Sequence, residues 1–257
     1  MFKTDNYKNK TVVITGGTKG IGLGITKAYL SLSAKVIILA RNKPKKLIQV
    51  KGNKALFYQC NVRDNANVEE VINEVFKANK CIDVLINNAG GAPLINSLDA
   101  SMNFNNAIID LNLNSSFTVS YYVAKKMIKK SSGCVITNIS SVTATRPTPG
   151  SAAYGAAKGG LVNLTKTLAV EWAPRIRVNS IITGYIETEN SLVHYGSKKD
   201  MKAVAKSIPM KRMGTPEDIA NACIFLSSVN SSWITGTAIE VHGGGESPAY
   251  LNSAKPK

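Results

Sequence analysis

Seven short, mostly apolar and β-branched runs punctuate this chain, at 11–15, 35–39, 55–59, 82–86, 134–138, 176–180 and 238–241. Between them lie longer stretches with apolar residues at helical spacing, at 20–32, 65–79, 103–130, 152–172 and 216–228. Near-continuous apolar strands suit a sheet covered on both faces. Strand alternating with helix predicts an α/β fold with a parallel, doubly wound sheet. No linker, repeat or low-complexity tract interrupts the alternation, so residues 1–257 are expected to form one domain. Two segments depart from it. Residues 141–151 read as a loop at the carboxyl end of a strand, and 184–213 as a long insertion before the last strand. Ligands of open α/β sheets bind beyond the carboxyl ends of the strands. Both segments should therefore border a site, the second as a lid over substrate.

Composition narrows the classes. At 257 residues and 44% apolar content the chain is globular rather than disordered. Cys60, Cys81, Cys134 and Cys223 lie far apart, with no Cys-x-x-Cys and no paired histidines, so no metal or disulfide is expected. The first ten residues contain no apolar signal core, and no apolar run approaches ~18 residues. A reduced, cytoplasmic setting fits. The formal charge of +16 invites nucleic acid, an anionic membrane or a phosphorylated ligand as partner. The lysines are dispersed and not interleaved with stacking aromatics, which favours solvated surface charge over nucleic acid or membrane.

Two motifs carry chemistry. The first is the turn Thr15-Gly-Gly-Thr-Lys-Gly-Ile-Gly22, between a predicted strand and a predicted helix. Glycines there permit a tight turn and close approach of a pyrophosphate, while the helix N-terminus offers unpaired N–H groups. At the end of the second strand Ala40 and Arg41 stand where an acidic residue would take the 2′-hydroxyl of NAD. The guanidinium suits a 2′-phosphate, so NADP(H) is expected rather than NAD(H). The second motif is Tyr154-x-x-x-Lys158, thirteen residues after Ser141. Residues four apart share a helix face, so phenol and ammonium would enter one space. Together the motifs predict a nicotinamide-dependent oxidoreductase with a tyrosine acid/base.

With these residues in place the chain resembles the short-chain dehydrogenase/reductase family from about Lys10 to Gly245. The matching segments include Asn87-Asn-Ala-Gly90, Asn112-Leu-x-x-x-Phe117, Asn138-Ile-Ser-Ser141, Arg177-Val-Asn179, Gly214-Thr-Pro-Glu217 and Ile234-Thr-Gly236. The resemblance implies a Rossmann-type sheet of about seven parallel strands and a homotetramer. It implies a catalytic group of Asn112, Ser141, Tyr154 and Lys158. Gly16, Thr18, Lys19, Gly20, Ile21 and Gly22 would hold the pyrophosphate and neighbouring ribose, and Asn61 and Val62 would face the adenine. Asn88, Ala89 and Gly90 would face the next ribose, and Ile186 and Thr188 the carboxamide. Tyr154 and Lys158 would also contact the cofactor, the Lys158 ammonium bonding the nicotinamide ribose. Asn61, Thr183 and His242 depart from the commoner Asp, Pro and Asp. The segment from Glu240 and the tail to Lys257 would lie near a subunit interface.

The implied reaction moves hydride between nicotinamide and a carbonyl or secondary alcohol while Tyr154 moves the proton. A free tyrosine, with a pKa near ~10, is poorly matched to that task. A Lys158 ammonium about 5 Å away, at an effective dielectric near ~20, favours the phenolate by roughly 3 kcal/mol, about 2 pK units. Ser141 would donate to the substrate oxygen, and Asn112 would hold a water leading protons to Lys158. The three-residue gap between Tyr154 and Lys158 resembles carbonyl reductases rather than the family's bacterial enoyl reductases, whose gap is longer. The basic, amphipathic lid suits a ketone or 3-oxoacyl thioester carried on coenzyme A or acyl carrier protein. An NAD-dependent hydroxysteroid or other secondary-alcohol dehydrogenase is the alternative, and a non-catalytic NADP-binding scaffold a second.

Overall fold

The structure, a computed structural model, describes residues 7–129 and 133–246. In chain order the first half comprises β1 (Thr11–Thr15), α1 (Gly20–Ser31), β2 (Lys35–Ala40), β3 (Gln49–Val50), β4 (Asn53–Lys54), β5 (Leu56–Gln59), α2 (Asn65–Asn79) and β6 (Val84–Asn87). Then follow α3 (Met102–Ile109), α4 (Ser115–Met127), β7 (Cys134–Ser141), α5 (Ala152–Trp172) and β8 (Ile176–Thr183). The last part holds α6 (Ser191–Tyr195), α7 (Lys198–Ser207), α8 (Pro216–Ser227) and β9 (Ala238–Val241).

Seven strands form one parallel sheet in the order β5-β2-β1-β6-β7-β8-β9, the Rossmann-type arrangement expected. Its two faces are covered separately, as the apolar runs require. On β1, Val13 faces a core completed by α2, α4 and α5, with Val68, Ile72, Val123 and Leu168 among its members. Its neighbours Val12 and Ile14 face the opposite core, built on Ile25 and Tyr29 of α1 and Ile219 and Leu226 of α8. The chain reverses direction across the sheet between β1 and β6, which opens a crevice at their carboxyl ends.

Four features differ from the sequence expectation. β7 and β8 run three residues beyond the apolar pattern, to Ser141 and Thr183. The pattern broke at Asn138 and Ser180, yet both are buried and satisfied. Asn138 Nδ2 donates to Thr165 Oγ1 at 2.9 Å, and Ser180 Oγ to the Asn138 carbonyl at 3.1 Å. The helix expected over 103–130 is interrupted by one π-helical turn, Asp110–Asn114, between α3 and α4. Residues 184–213 are not structureless, since α6 and α7 lie within them. The β3–β4 ladder left no mark on the apolar pattern.

Candidate active site

A cleft of about 700 Å³ opens at the carboxyl ends of the strands. Its walls come from the turn after β1, the segment after β6, the end of β7, the first turns of α5, and the chain from Thr183 into α6 and α7. The predicted residues Gly16, Lys19, Gly20, Ile21, Gly22, Asn88, Ala89, Gly90, Ser141, Tyr154, Lys158, Ile186 and Thr188 all line it. Thr18, Arg41, Asn61, Val62 and Asn112 do not. Asn112 lies just beneath the wall. Arg41 is exposed immediately after β2, and Val62 is buried in the core.

The glycine turn is fixed from both sides. Gly16 N–H donates to the Leu39 carbonyl at 2.8 Å, tying the turn to β2. Asn88 Nδ2 donates to the carbonyls of Thr15 at 3.0 Å and Gly16 at 3.3 Å. Thr15 Oγ1 in turn accepts the N–H groups of Asn88 and Ala89, each at 3.0 Å. Asn88 and Thr15 thus hold the turn against the segment after β6. A Cβ on Gly22 would stand 2.3 Å from the Gly16 carbonyl oxygen, so no larger residue fits. The turn leaves a backbone-lined hollow before the positive end of α1, and its donors suit the phosphates of a dinucleotide.

The floor of the cleft is assembled by α5 and β7. Tyr154 and Lys158 project from one face of α5, with Lys158 Nζ 5.6 Å from the Tyr154 ring centre. Lys158 is only 4% exposed. Its ammonium donates to the Ile139 carbonyl at 2.8 Å, and burial takes its pKa down to about 8. Ser141 stands at the end of β7 on the same cleft, and its hydroxyl lowers the Tyr154 pKa. Burial outweighs that effect and pushes the phenol up. The lowering expected from Lys158 is therefore not what the protein shows by itself: desolvation dominates at this phenol.

The π-turn explains Asn112. Its extra residue turns this side chain inward, where Nδ2 donates to the carbonyls of Gly91 at 3.0 Å and Ile108 at 2.9 Å. Oδ1 accepts Gly91 N–H at 2.8 Å. A Cβ on Gly90 would meet Asn112 Oδ1 at 2.6 Å and Lys158 Nζ at 3.3 Å, so these three groups converge. Asn112 pins the loop after β6 beside Lys158.

The three departures from the commoner pattern have local partners. Thr183 Oγ1 donates to the Ser140 carbonyl at 3.0 Å, and His242 pairs with Glu240 at 2.8 Å. Asn61 serves a turn, its Oδ1 accepting Arg63 N–H at 3.3 Å. Residues 247–257, the greater part of the tail assigned to an interface, lie outside the described residues.

Several lining residues were not anticipated. Arg146 donates to Tyr185 Oη at 2.9 Å and pairs with Glu246 at 2.5 Å, forming one wall. Tyr195 packs edge-on against Tyr185 at 5.8 Å, and burial with help from Tyr185 and Tyr154 pushes its pKa up to about 12. α6 thus brings Tyr195 close to Tyr154 as well as Tyr185. A basic residue in the loop after Ser141 was the only signal for Arg146; the tyrosines carried none.

Among the described residues no cluster of three or more His, Cys, Asp or Glu could hold a metal, and no helix is long and apolar enough to cross a membrane. A family model described as enoyl-(acyl carrier protein) reductase matches residues 16–246. A 3-oxoacyl-(acyl-carrier-protein) reductase of Chlamydia muridarum is 36% identical over 244 residues, 92% of this chain and 97% of the relative. The chain is a short-chain dehydrogenase/reductase. A probable 2,4-dienoyl-CoA reductase of Bacillus subtilis is 35% identical, covering 92% of this chain and 96% of the relative. The aldohexose dehydrogenase structure from Thermoplasma acidophilum superposes with a TM-score of 0.85 at 32% identity, covering 96% of each chain. As a short-chain dehydrogenase/reductase the protein is an oxidoreductase acting between CH–OH and C=O with a nicotinamide cofactor.

Proposed function

We propose that this short-chain dehydrogenase/reductase is an NADPH-dependent reductase of 3-oxoacyl thioesters. One observation supports the reading above others: Ser141, Tyr154, Lys158 and the glycine turn share one cleft of about 700 Å³. The turn residues and Lys19 hold the diphosphate, Asn88 to Gly90 the adjoining ribose, and Ile186 and Thr188 the carboxamide. When bound there, the nicotinamide supplies or takes up the hydride. In reduction, Ser141 Oγ donates to the substrate oxygen while Tyr154 gives that oxygen its proton. Tyr154 is held in its neutral, donating form by burial, and Lys158 returns the proton. Asn112 positions the loop beside Lys158 and holds the water that refills it.

The choice of NADPH rests on Arg41, exposed at the end of β2 with no carboxylate beside it in sequence. The choice of substrate rests on the similarity to the Chlamydia muridarum 3-oxoacyl-(acyl-carrier-protein) reductase and on the lid. Val204 and Ser207 of α7 line the cleft opposite Leu94, Val142 and Pro149, a partly apolar wall for an acyl chain. Lys198, Lys199, Lys202 and Lys206 are exposed on the same helix, where a phosphorylated carrier, coenzyme A or acyl carrier protein, would be met. We assign a homotetramer, in which Val170, 81% exposed on α5, and Phe117 on α4 would be covered.

The test is reduction of acetoacetyl-CoA by the purified protein with NADPH or NADH, beside Arg41→Ala. Turnover with NADPH, and an NADPH affinity about tenfold weaker in Arg41→Ala with NADH unchanged, is expected. Oxidation of a sugar or steroid alcohol with NAD, and no thioester reduction, would replace this reading with a secondary-alcohol dehydrogenase.

A further inference from the structure

The first N–H of α1 is already engaged. Gly20 N–H donates to both carboxylate oxygens of Glu189, at 2.9 and 3.2 Å, across 169 positions of sequence. α1 has no cap of its own: Lys19 makes no side-chain capping bond, and the first turn holds no acidic residue. Helix N-termini attract anions because their first N–H groups are unpaired and the helix dipole is positive there. Glu189 meets that demand from the lid. It does so at the glycine turn, where the proposed function seats the diphosphate, and the inference rests on that reading.

We infer that Glu189 is an internal competitor for the diphosphate seat, and that the dinucleotide must displace it to bind. Two carboxylate oxygens on one N–H mimic the oxygens of a phosphate, and a phosphate approaching Gly20 would meet both their charge and their bulk. Displacement reaches the catalytic centre by a short route. Glu189 follows Thr188, whose N–H donates to Ser191 Oγ at 2.7 Å, and Ser191 begins α6. α6 ends at Tyr195, beside Tyr185 and Tyr154. Cofactor arrival therefore frees the front of the lid as it fills the turn. Glu189 is a positioning residue that sets how tightly the cofactor is held and ties that event to the lid.

Glu189 is exposed, so its substitution leaves the fold intact. Glu187, two residues earlier and also exposed, provides a control carrying the same change in net charge. Glu189→Gln is expected to bind NADPH about fivefold more tightly than the parent by fluorescence titration, with Glu187→Gln unchanged. Hydrogen exchange over residues 189–195 should be faster in Glu189→Gln without cofactor and identical to the parent at saturating NADPH, where the contact is broken in both. Equal tightening in both variants would reduce the effect to diffuse charge and overturn the inference. So would unchanged or weaker binding in Glu189→Gln, or an exchange difference that persists at saturation. If the parent binds neither NADPH nor NADH, the dinucleotide reading itself falls, an outcome distinct from parent and variant binding alike.

Discussion

Lys158, on the floor of the cleft, is 4% exposed and donates to a strand carbonyl, whereas Lys202 and Lys206, on the helix above, are exposed and meet no carboxylate among the described residues. The contrast extends to their surroundings. α5 buries Ala157, Lys158, Leu161, Thr165 and Leu168 against the sheet, and Ser140 Oγ donates to the Lys158 carbonyl at 3.1 Å. α7 buries none of its ten residues. A proton relay needs atoms held to a fraction of an ångström, which only packed and hydrogen-bonded elements provide. Selection among substrates can use a surface that adapts and is held by few contacts. On the proposed function, the floor fixes the chemistry and the roof chooses what receives it. Substitutions on the floor should therefore act on kcat, and those on the roof on KM.

The largest effect belongs to Tyr154. Tyr154→Phe removes the proton donor while leaving ring and packing in place, and kcat should fall by about a thousandfold. Cofactor affinity, measured by fluorescence, should change less than about twofold, because the turn residues are untouched. Retained turnover would show that the floor does not carry the acid/base role. Asn112→Ala comes next. It takes away the partner of the exposed Gly91 backbone and leaves the buried Ile108 carbonyl without its side-chain donor, so about 1 kcal/mol of stability should be lost, read by thermal unfolding. Slower turnover should accompany it, since the loop beside Lys158 loses its pin. Unchanged stability with unchanged rate would remove Asn112 from the floor.

The pH dependence sharpens the same contrast. Burial lowers Lys158 to about 8, so its ammonium is kept below that pH and lost above it. On the proposed function reduction draws its proton through Lys158 and should decline above about pH 8, while oxidation, which needs a proton acceptor, should rise. The same shift has a stability consequence with a definite sign. Between about 8 and the usual lysine value the unfolded chain binds more protons than the folded one, so this group makes stability rise with pH across that window. Rate–pH profiles in both directions test the first claim. Parallel profiles would mean that Lys158 does not feed the proton.

The floor was also the part most legible in sequence. Tyr154, Lys158 and Ser141 announce themselves through spacing, since a helix and a strand end place them with little help from distant residues. The strand and helix alternation likewise survives because each run is long enough for its period to show. The π-turn at Asp110–Asn114 was not legible, because one inserted residue shifts the helical phase without breaking the apolar pattern. α7 was hidden by its polarity, although Ser197-x-x-Asp200 is a capping box that marks its start. The Glu189–Gly20 contact and the Arg146–Glu246 pair join residues 169 and 100 positions apart, and no local pattern encodes them. Arg41 is a different case: its identity was readable, and its exposure leaves its role to binding experiments.

The smallest effect is the one that isolates the roof. Lys202 and Lys206 are four residues apart on α7, so their side chains share a face, while Val204 lines the cleft. Reversing both charges, Lys202→Glu with Lys206→Glu, should raise KM for a 3-oxoacyl chain on coenzyme A or acyl carrier protein by about threefold to tenfold, the scale of two solvent-exposed charge contacts. KM for the same acyl group on an uncharged N-acetylcysteamine thioester should not move, and neither should kcat. Melting temperature should also hold, because Lys202 and Lys206 are both exposed. A rise in KM for both thioesters would mean that the lid grips the acyl chain rather than its carrier. A fall in kcat would tie α7 to the floor, and the separation of chemistry from selection would then have to be abandoned.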